Sequence, residues 1–399
     1  MQKTLMILGA GAHQHSTIQK AVDMGLKVVA IDKDKDAVGF NIRSNNLEKI
    51  NISIKDKESI LEIAQIYGID GIMSPCADAG ILTTGYINDR MKLKGPSLAS
   101  TVLSHDKELM YTYLTSYTNI KMPQRYAPYP IGDEGFPVIS KPITGVGSKD
   151  VYKFESIWDF NRDFDFMNSS NLVVEEYIKG DIFSATLIMQ NGRPVYYFVL
   201  DQTLSDHNFG TCMFSSKKGP IGDILVESFR TVQALGIRDG AVEVEGIICN
   251  NDIVRDIYII DVNPRMAGGF IFDAKSYASD IDWTEKAIQA ALGEFIHVIP
   301  HTSKPFVIVY KGSDKEGVFS RRTDKYKQLE PEHEKRFMKF IGSKVKPCNT
   351  KETSSEQFIV AIYTTGNTEQ EAYNKAQIVY NGLDLEVIPD EELTNDRSQ

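Results

Sequence analysis

Apolar positions follow two alternating periods from the start of the chain. TLMILGAG reads as a buried strand, HSTIQKAVDMG as a helix ending at Gly25, LKVVAID as a strand, and KESILEIAQIYG as a helix before DGIMSP. Repetition of strand and helix predicts a doubly wound parallel sheet. Gly95-Pro96-Ser97 closes this unit and places the first boundary near residue 100.

The texture then changes. A helical pattern, SHDKELMYTYLTSY, precedes strand patterns in FPVISKP, DVYKF, NLVVEEYI, FSATLIMQNG and PVYYFVL, which predicts an α+β region. A helix over DILVESFRTVQALG, a hairpin of GAVEVEGIIC and VRDIYIIDVN turning at Asn250-Asn251-Asp252, and a helix over DWTEKAIQAALG complete it. From about Lys304 a third α+β block reads as strand PFVIVY, helix PEHEKRFMKFIG, strand QFIVAIYTTG, helix TEQEAYNKAQIVYNG and strand LEVI. The expected domains are therefore 1–100, 101–300 in two lobes (101–174 and 175–300), and 301–388, with a polar tail over 389–399.

Composition removes several function classes. With 42% hydrophobic and 25% charged residues, the 399-residue chain has the balance of an ordinary globular protein. Lys and Arg number 44 against 54 Asp and Glu, a net charge of −10, so nucleic acid is not an expected partner. Cys76, Cys212, Cys249 and Cys348 are widely spaced, without a zinc or disulfide pattern, which fits a reducing cytoplasmic location. No run approaches the ~20 apolar residues of a membrane span, so no membrane partner is expected.

Gly9-Ala10-Gly11 between a strand and a helix, with Asp32 ending the next strand, comes close to a dinucleotide fingerprint. The third glycine is replaced by Gln14, so a tight turn with Asp32 capping the following loop is the preferred reading and an NAD-dependent oxidoreductase the weaker one. His13 and His15 there read as loop hydrogen-bonding groups, and the helix terminus as a place where a small anion or part of a substrate could sit.

Three features of the middle region converge on phosphate chemistry. In FPVISKPITGVGSKDV, Lys141 emerges from a strand before the glycine-flanked turn Gly145-Val146-Gly147-Ser148, whose backbone N–H groups can approach phosphate oxygens. Lys107 opens a helix 34 residues earlier and Glu175 ends an apolar strand run 34 residues later. In IIDVNPR, alternation puts Asp261 and Asn263 on one face of a strand, about 7 Å apart, where two oxygens can converge on a hard cation. Glu243 and Glu245 share a face of the partner strand, and either can complete that set.

At these residues the chain resembles the ATP-grasp superfamily, in the branch of biotin carboxylase and the purine-synthesis ligases. The resemblance covers nearly the whole chain: a PreATP-grasp domain, a two-lobed ATP-grasp region, and a C-terminal cap in which FIVAIYTTGNTEQEAYNKAQIVY is similar to the biotin-carboxylase-like ending. It implies ATP with Mg2+, or alternatively Mn2+, and a carboxylate–amine ligase that passes through an acyl phosphate.

Position by position, the resemblance makes Lys107 and Lys141 phosphate contacts and Gly145, Gly147 and Ser148 part of a lid. Glu175 and Ile178 lie at the adenine, and Asp261, Asn263 and Glu245 are metal ligands with Glu243 the alternative. Arg265 faces the transferred phosphoryl group, so Arg265 and Lys141 are the expected catalytic residues. Departures are Asp261 where relatives often carry Glu, Asp150 where the lid usually has glycine, and Ile182 where an acidic residue often holds ribose, a role left to Asp181. Ser74 to Asp78, the segment 205–217 read as a loop, and Gly268-Gly269 are expected to shape the substrate pockets. Cys212 with His207 is a weak candidate for thiol catalysis. Small-molecule carboxylate and amine partners and a homodimer follow by analogy, with an ATP-binding regulatory protein as the other reading.

Overall fold

The computed structural model describes residues 2–126, 132–145, 147–164, 170–205, 211–217, 219–250, 255–324, 333–339, 341, 343–348 and 357–389. The chain begins with β1 (Thr4–Leu8), α1 (Ala12–Asp23), β2 (Lys27–Ile31), β3 (Leu47–Ile50), α2 (Lys57–Tyr67), β4 (Gly71–Met73), α3 (Ile81–Met91), α4 (Leu98–His105) and α5 (Lys107–Tyr117). Next come β5 (Arg125–Tyr126), β6 (Val138–Pro142), β7 (Tyr152–Phe154), α6 (Ile157–Asp163), β8 (Leu172–Glu176), β9 (Asp181–Gln190), β10 (Arg193–Leu204) and β11 (Thr211–Ser216). They are followed by α7 (Ile221–Ala234), β12 (Gly240–Asn250), β13 (Arg255–Asn263), α8 (Ile271–Tyr277) and α9 (Trp283–Ala291). The last elements are β14 (Phe306–Lys311), β15 (Gly317–Asp324), β16 (His333–Phe337), β17 (Lys344–Val345), β18 (Val360–Thr365), α10 (Glu369–Gly382) and β19 (Leu383–Ile388).

Two compact units result, each assembled from separate stretches: residues 1–122, 182–199 and 217–303 form the first, and 123–181, 200–216 and 304–399 the second. The expected domain boundaries follow the chain, whereas the compact units are built by chain crossings.

In the first unit a parallel sheet runs β3-β2-β1-β4. Its order reverses beside β1, and α1 starts at that reversal, the usual place for a ligand in an open α/β sheet. Buried Met6, Leu8, Val29, Ile31 and Ile72 pack against Ile60, Ala64 and Ile87 of the helices. The apolar positions of β1 are buried on both faces, as a strand covered on each side by helices requires. The rest of the unit holds strands in the order β13-β12-β9-β10, with a core of Phe183, Leu187, Val242, Val244, Ile259 and Val262 beneath α5 and α7.

In the second unit, β5-β8-β6-β7 form one small sheet around Val138, Phe154, Phe160 and Val174. The end of β10 pairs with β11, which continues through β14 and β18 to β16, and α10 covers Val307, Val309, Val360 and Ile362. A third sheet runs β17-β15-β19.

Two expectations are corrected here. The charged run over 331–342, read as a helix, contains strand β16, which pairs with β18. Edge pairing to the buried Val360–Thr365 strand overrides the helical propensity of Glu and Lys. The segment 205–217, read as a loop, contains strand β11, and Cys212 sits in it with its thiol 3.5 Å from the Thr203 carbonyl oxygen. His207 lies outside the described residues.

Candidate active site

The glycine-rich turn after β1 is filled by protein. Gly9 has φ +97°, and a Cβ there would come within 3.1 Å of the Gln14 side chain. Gln14 is itself buried and donates to the Pro75 carbonyl oxygen at 2.6 Å, so it occupies the space that a third glycine would leave open. Asp32 accepts from the backbone N–H groups of Ala10 (2.7 Å) and Asp34 (2.9 Å), which commits both carboxylate oxygens to the loop.

His13 departs from its reading as a loop group. It is the second residue of α1, its ring stacks on Phe270 at 4.7 Å, and its buried Nδ1 has no partner among the described residues. Burial, and then the charge of Arg265, hold its pKa down to about 4. Below pH 6.5 an unfolded chain takes up a proton that the folded site refuses, so His13 makes stability fall between pH 6.5 and about 4. His13→Leu should flatten the drop of melting temperature over that interval, by an amount worth up to about 3 kcal/mol. An unchanged pH profile in the variant contradicts the assignment.

The hairpin β12–β13 places the carboxylates. Its register pairs Glu245 with Asp261 and Glu243 with Asn263, followed by a bulge at Gly246. A Cβ at Gly246 would lie 2.4 Å from the Phe183 ring and 2.6 Å from the Tyr258 carbonyl oxygen, so glycine is needed for the chain to kink there. Asp261 accepts from Asn263 Nδ2 at 3.0 Å and pairs with Lys107 Nζ at 3.4 Å. Lys107 is set by the capping of α5, where the Asp106 side chain accepts from the N–H groups of Glu108 and Leu109, both at 2.9 Å.

The two glutamates have different surroundings. Glu243 is occupied: it accepts from Ser184 Oγ at 3.0 Å and from Arg265 Nη1 at 2.9 Å. Glu245 accepts no hydrogen bond and forms no ion pair among the described residues. Burial first, and then the negative charges of Glu243 and Asp261, push its pKa up to about 8. Two facing carboxylates and an amide oxygen are a donor set suited to a hard divalent cation, which would offset the repulsion between the carboxylates. No group of three or more His, Cys, Asp or Glu residues suited to a metal occurs among the described residues.

Arg265 is held from two sides. Its Nε and Nη2 donate to Asp78 Oδ1 at 3.1 and 3.0 Å, and Nη1 donates to Glu243 and to the Met266 carbonyl oxygen, each at 2.9 Å. Nη2 also donates to Asp78 Oδ2 at 3.3 Å, so all three guanidinium nitrogens are engaged by the protein. Beside it, Cys76 and Phe270 have positive φ, +56° and +62°, conformations that side chains adopt at a cost and that gather at functional sites. The Cys76 thiol is pushed up to about 12 by burial and donates to the Ala267 carbonyl oxygen, so it is no nucleophile. Sequence reasoning placed Asp78 in a substrate-shaping segment and missed its grip on Arg265; no local signal shows a pair 187 residues apart.

A second set lies in the other unit. Lys141, at the end of β6, pairs with Glu175 of β8 at 2.5 Å. Arg125 of β5, opposite Glu175 in the register and absent from the sequence reading, reaches the same carboxylate at 3.4 Å. Gly147, Ser148 and Asp150 all have positive φ in the turn after β6, and Val146 lies outside the described residues. Ile178 is buried two residues past β8, and Asp181 is exposed at the start of β9.

Residues 104–269 match the family model described as ATP-grasp domain. A formate-dependent phosphoribosylglycinamide formyltransferase of Methanocella arvoryzae is 26% identical over 222 residues, 49% of each chain, so the match spans about half the length of that relative. Crystal structures of an L-amino acid ligase from Bacillus licheniformis (TM-score 0.79, 15% identity) and a phosphoribosylglycinamide synthetase from Anaerococcus prevotii (TM-score 0.78, 19% identity) share the fold. Each comparison covers 97% of this chain, and 99% and 100% respectively of the other. Residues 104–269 of this chain thus match the ATP-grasp domain model, within a fold shared with those two structures over 97% of the chain.

Proposed function

We propose that the chain is an ATP-dependent carboxylate–amine ligase. A substrate carboxylate oxygen attacks the γ-phosphorus of ATP and ADP leaves; an amine then attacks the carbonyl carbon of the acyl phosphate, releasing phosphate and, to solvent, the amine proton. The observation that carries this reading is the cross-strand pair of Glu245 and Asp261 beside Lys107 and the clamped Arg265.

Bringing two anions together dominates the barrier, so the chain's part is to neutralise and hold them. Lys107 and Lys141 supply ammonium groups to the phosphates, with Gly145, Gly147 and Ser148 offering backbone N–H groups. Glu175 and Ile178 flank the adenine, and Asp181 is assigned to the ribose. Glu245, Asp261 and Asn263 would hold Mg2+, which when bound supplies charge neutralisation of the phosphates. Arg265 supplies positive charge to the oxygens of the transferred phosphoryl group. A cytoplasmic homodimer acting on small molecules is proposed on analogy with the relatives.

Incubation with MgATP and pools of carboxylates and amines should release ADP only when one of each is present. ADP formation that ignores both pools, or MgATP binding with no turnover in any pool, removes the ligase reading; the second outcome is that of an ATP-binding regulator.

A further inference from the structure

We infer that Glu175 is a positioning residue that acts through Lys141, an inference that rests on the proposed nucleotide site. Glu175 is only 5% exposed, and its carboxylate stands at the centre of a triad. Lys141 Nζ lies 2.5 Å from Oε1, and Arg125 Nε lies 3.4 Å from Oε2. The two oxygens of one anion are thus divided between two cations.

Backbone pairing explains why the triad forms. Glu175 faces Arg125 across β5–β8 and Ile139 across β6–β8, and Lys141 is two residues further along β6, on the same face as Ile139. The lysine must therefore lean along its own strand to reach Glu175. An aliphatic stem with four rotatable bonds has no fixed direction of its own; the pair with a buried carboxylate supplies one and reduces the entropy lost when a phosphate binds. Among the described residues, two of the three ammonium protons stay available to an anion.

Arg125 has its own part in this. A buried carboxylate facing one lysine would neutralise it and give nothing to an incoming anion. The second cation shares the carboxylate, so Glu175 does not neutralise Lys141 alone and keeps the two like charges apart. A carboxylate beside a phosphate site would ordinarily oppose an anion, and this geometry assigns it a role that favours one.

The test is a double-mutant cycle read as affinity for the magnesium complex of a non-hydrolysable ATP analogue, by calorimetric titration of the full chain. Glu175→Gln should weaken binding about tenfold in the otherwise unaltered protein, and by less than twofold when Lys141→Ala is already present. Equal losses in both backgrounds, or unchanged or tighter binding in Glu175→Gln alone, overturn the inference. Thermal melting identifies a variant that does not fold, in which case Glu175→Asp, which keeps the charge and draws the lysine back by one methylene, is carried through the same cycle. Absence of analogue binding to the unaltered protein would instead sink the nucleotide site itself.

Discussion

Arg265→Met should lower ligase turnover about a thousandfold while changing the affinity for MgATP by only a few fold. The split follows from what the guanidinium touches. Its three nitrogens are committed to Asp78, Glu243 and the Met266 carbonyl oxygen, so it is fixed before any ligand arrives, and what it offers the transfer is its positive charge. The same substitution leaves Asp78 and Glu243 without their cation, beside Glu245 and Asp261. Removing one member of a buried pair costs about 3–5 kcal/mol, so the melting temperature should fall as well. Arg265→Lys separates the two effects: an ammonium keeps the charge but cannot span both carboxylates, so most of the stability should return while turnover stays about a hundredfold down. Recovery of turnover along with stability would show that Arg265 serves the fold alone.

How much of this was legible in the chain depends on how local each signal is. Asp261 and Asn263 could be put on one face because strand period depends only on neighbours, and Lys107 at a helix start because Asp106 caps it. The choice between Glu243 and Glu245 was not legible. What sets the two apart is that Arg265 and Ser184 occupy Glu243, a product of packing. Arg125 was missed for the same reason: a two-residue strand has no period to read, and its meaning comes from the register with β8. In β16 the charges were read as helical, although the neighbouring strand decides the outcome.

Asp261→Asn should leave the metal-free protein as stable as the parent, or slightly more so, and yet lose about a hundredfold in turnover and need about tenfold more Mg2+ for half-maximal rate. The opposed directions come from the same electrostatics. Four carboxylates (Asp78, Glu243, Glu245 and Asp261) and two cations (Lys107 and Arg265) meet in this part of the first unit, an excess of two negative charges if all are ionised. Converting Asp261 to an amide removes one of the charges that burden Glu245, at the expense of the 3.4 Å pair with Lys107. With those terms of similar size and opposite sign, stability changes little. A cation site has no such compensation, because an amide oxygen carries no net charge to offer Mg2+. Melting curves without metal and initial rates against Mg2+ concentration check both halves. A large loss of stability with an unaltered Mg2+ requirement would make Asp261 a structural partner of Lys107, and the cross-strand carboxylates would then lose their claim to the metal.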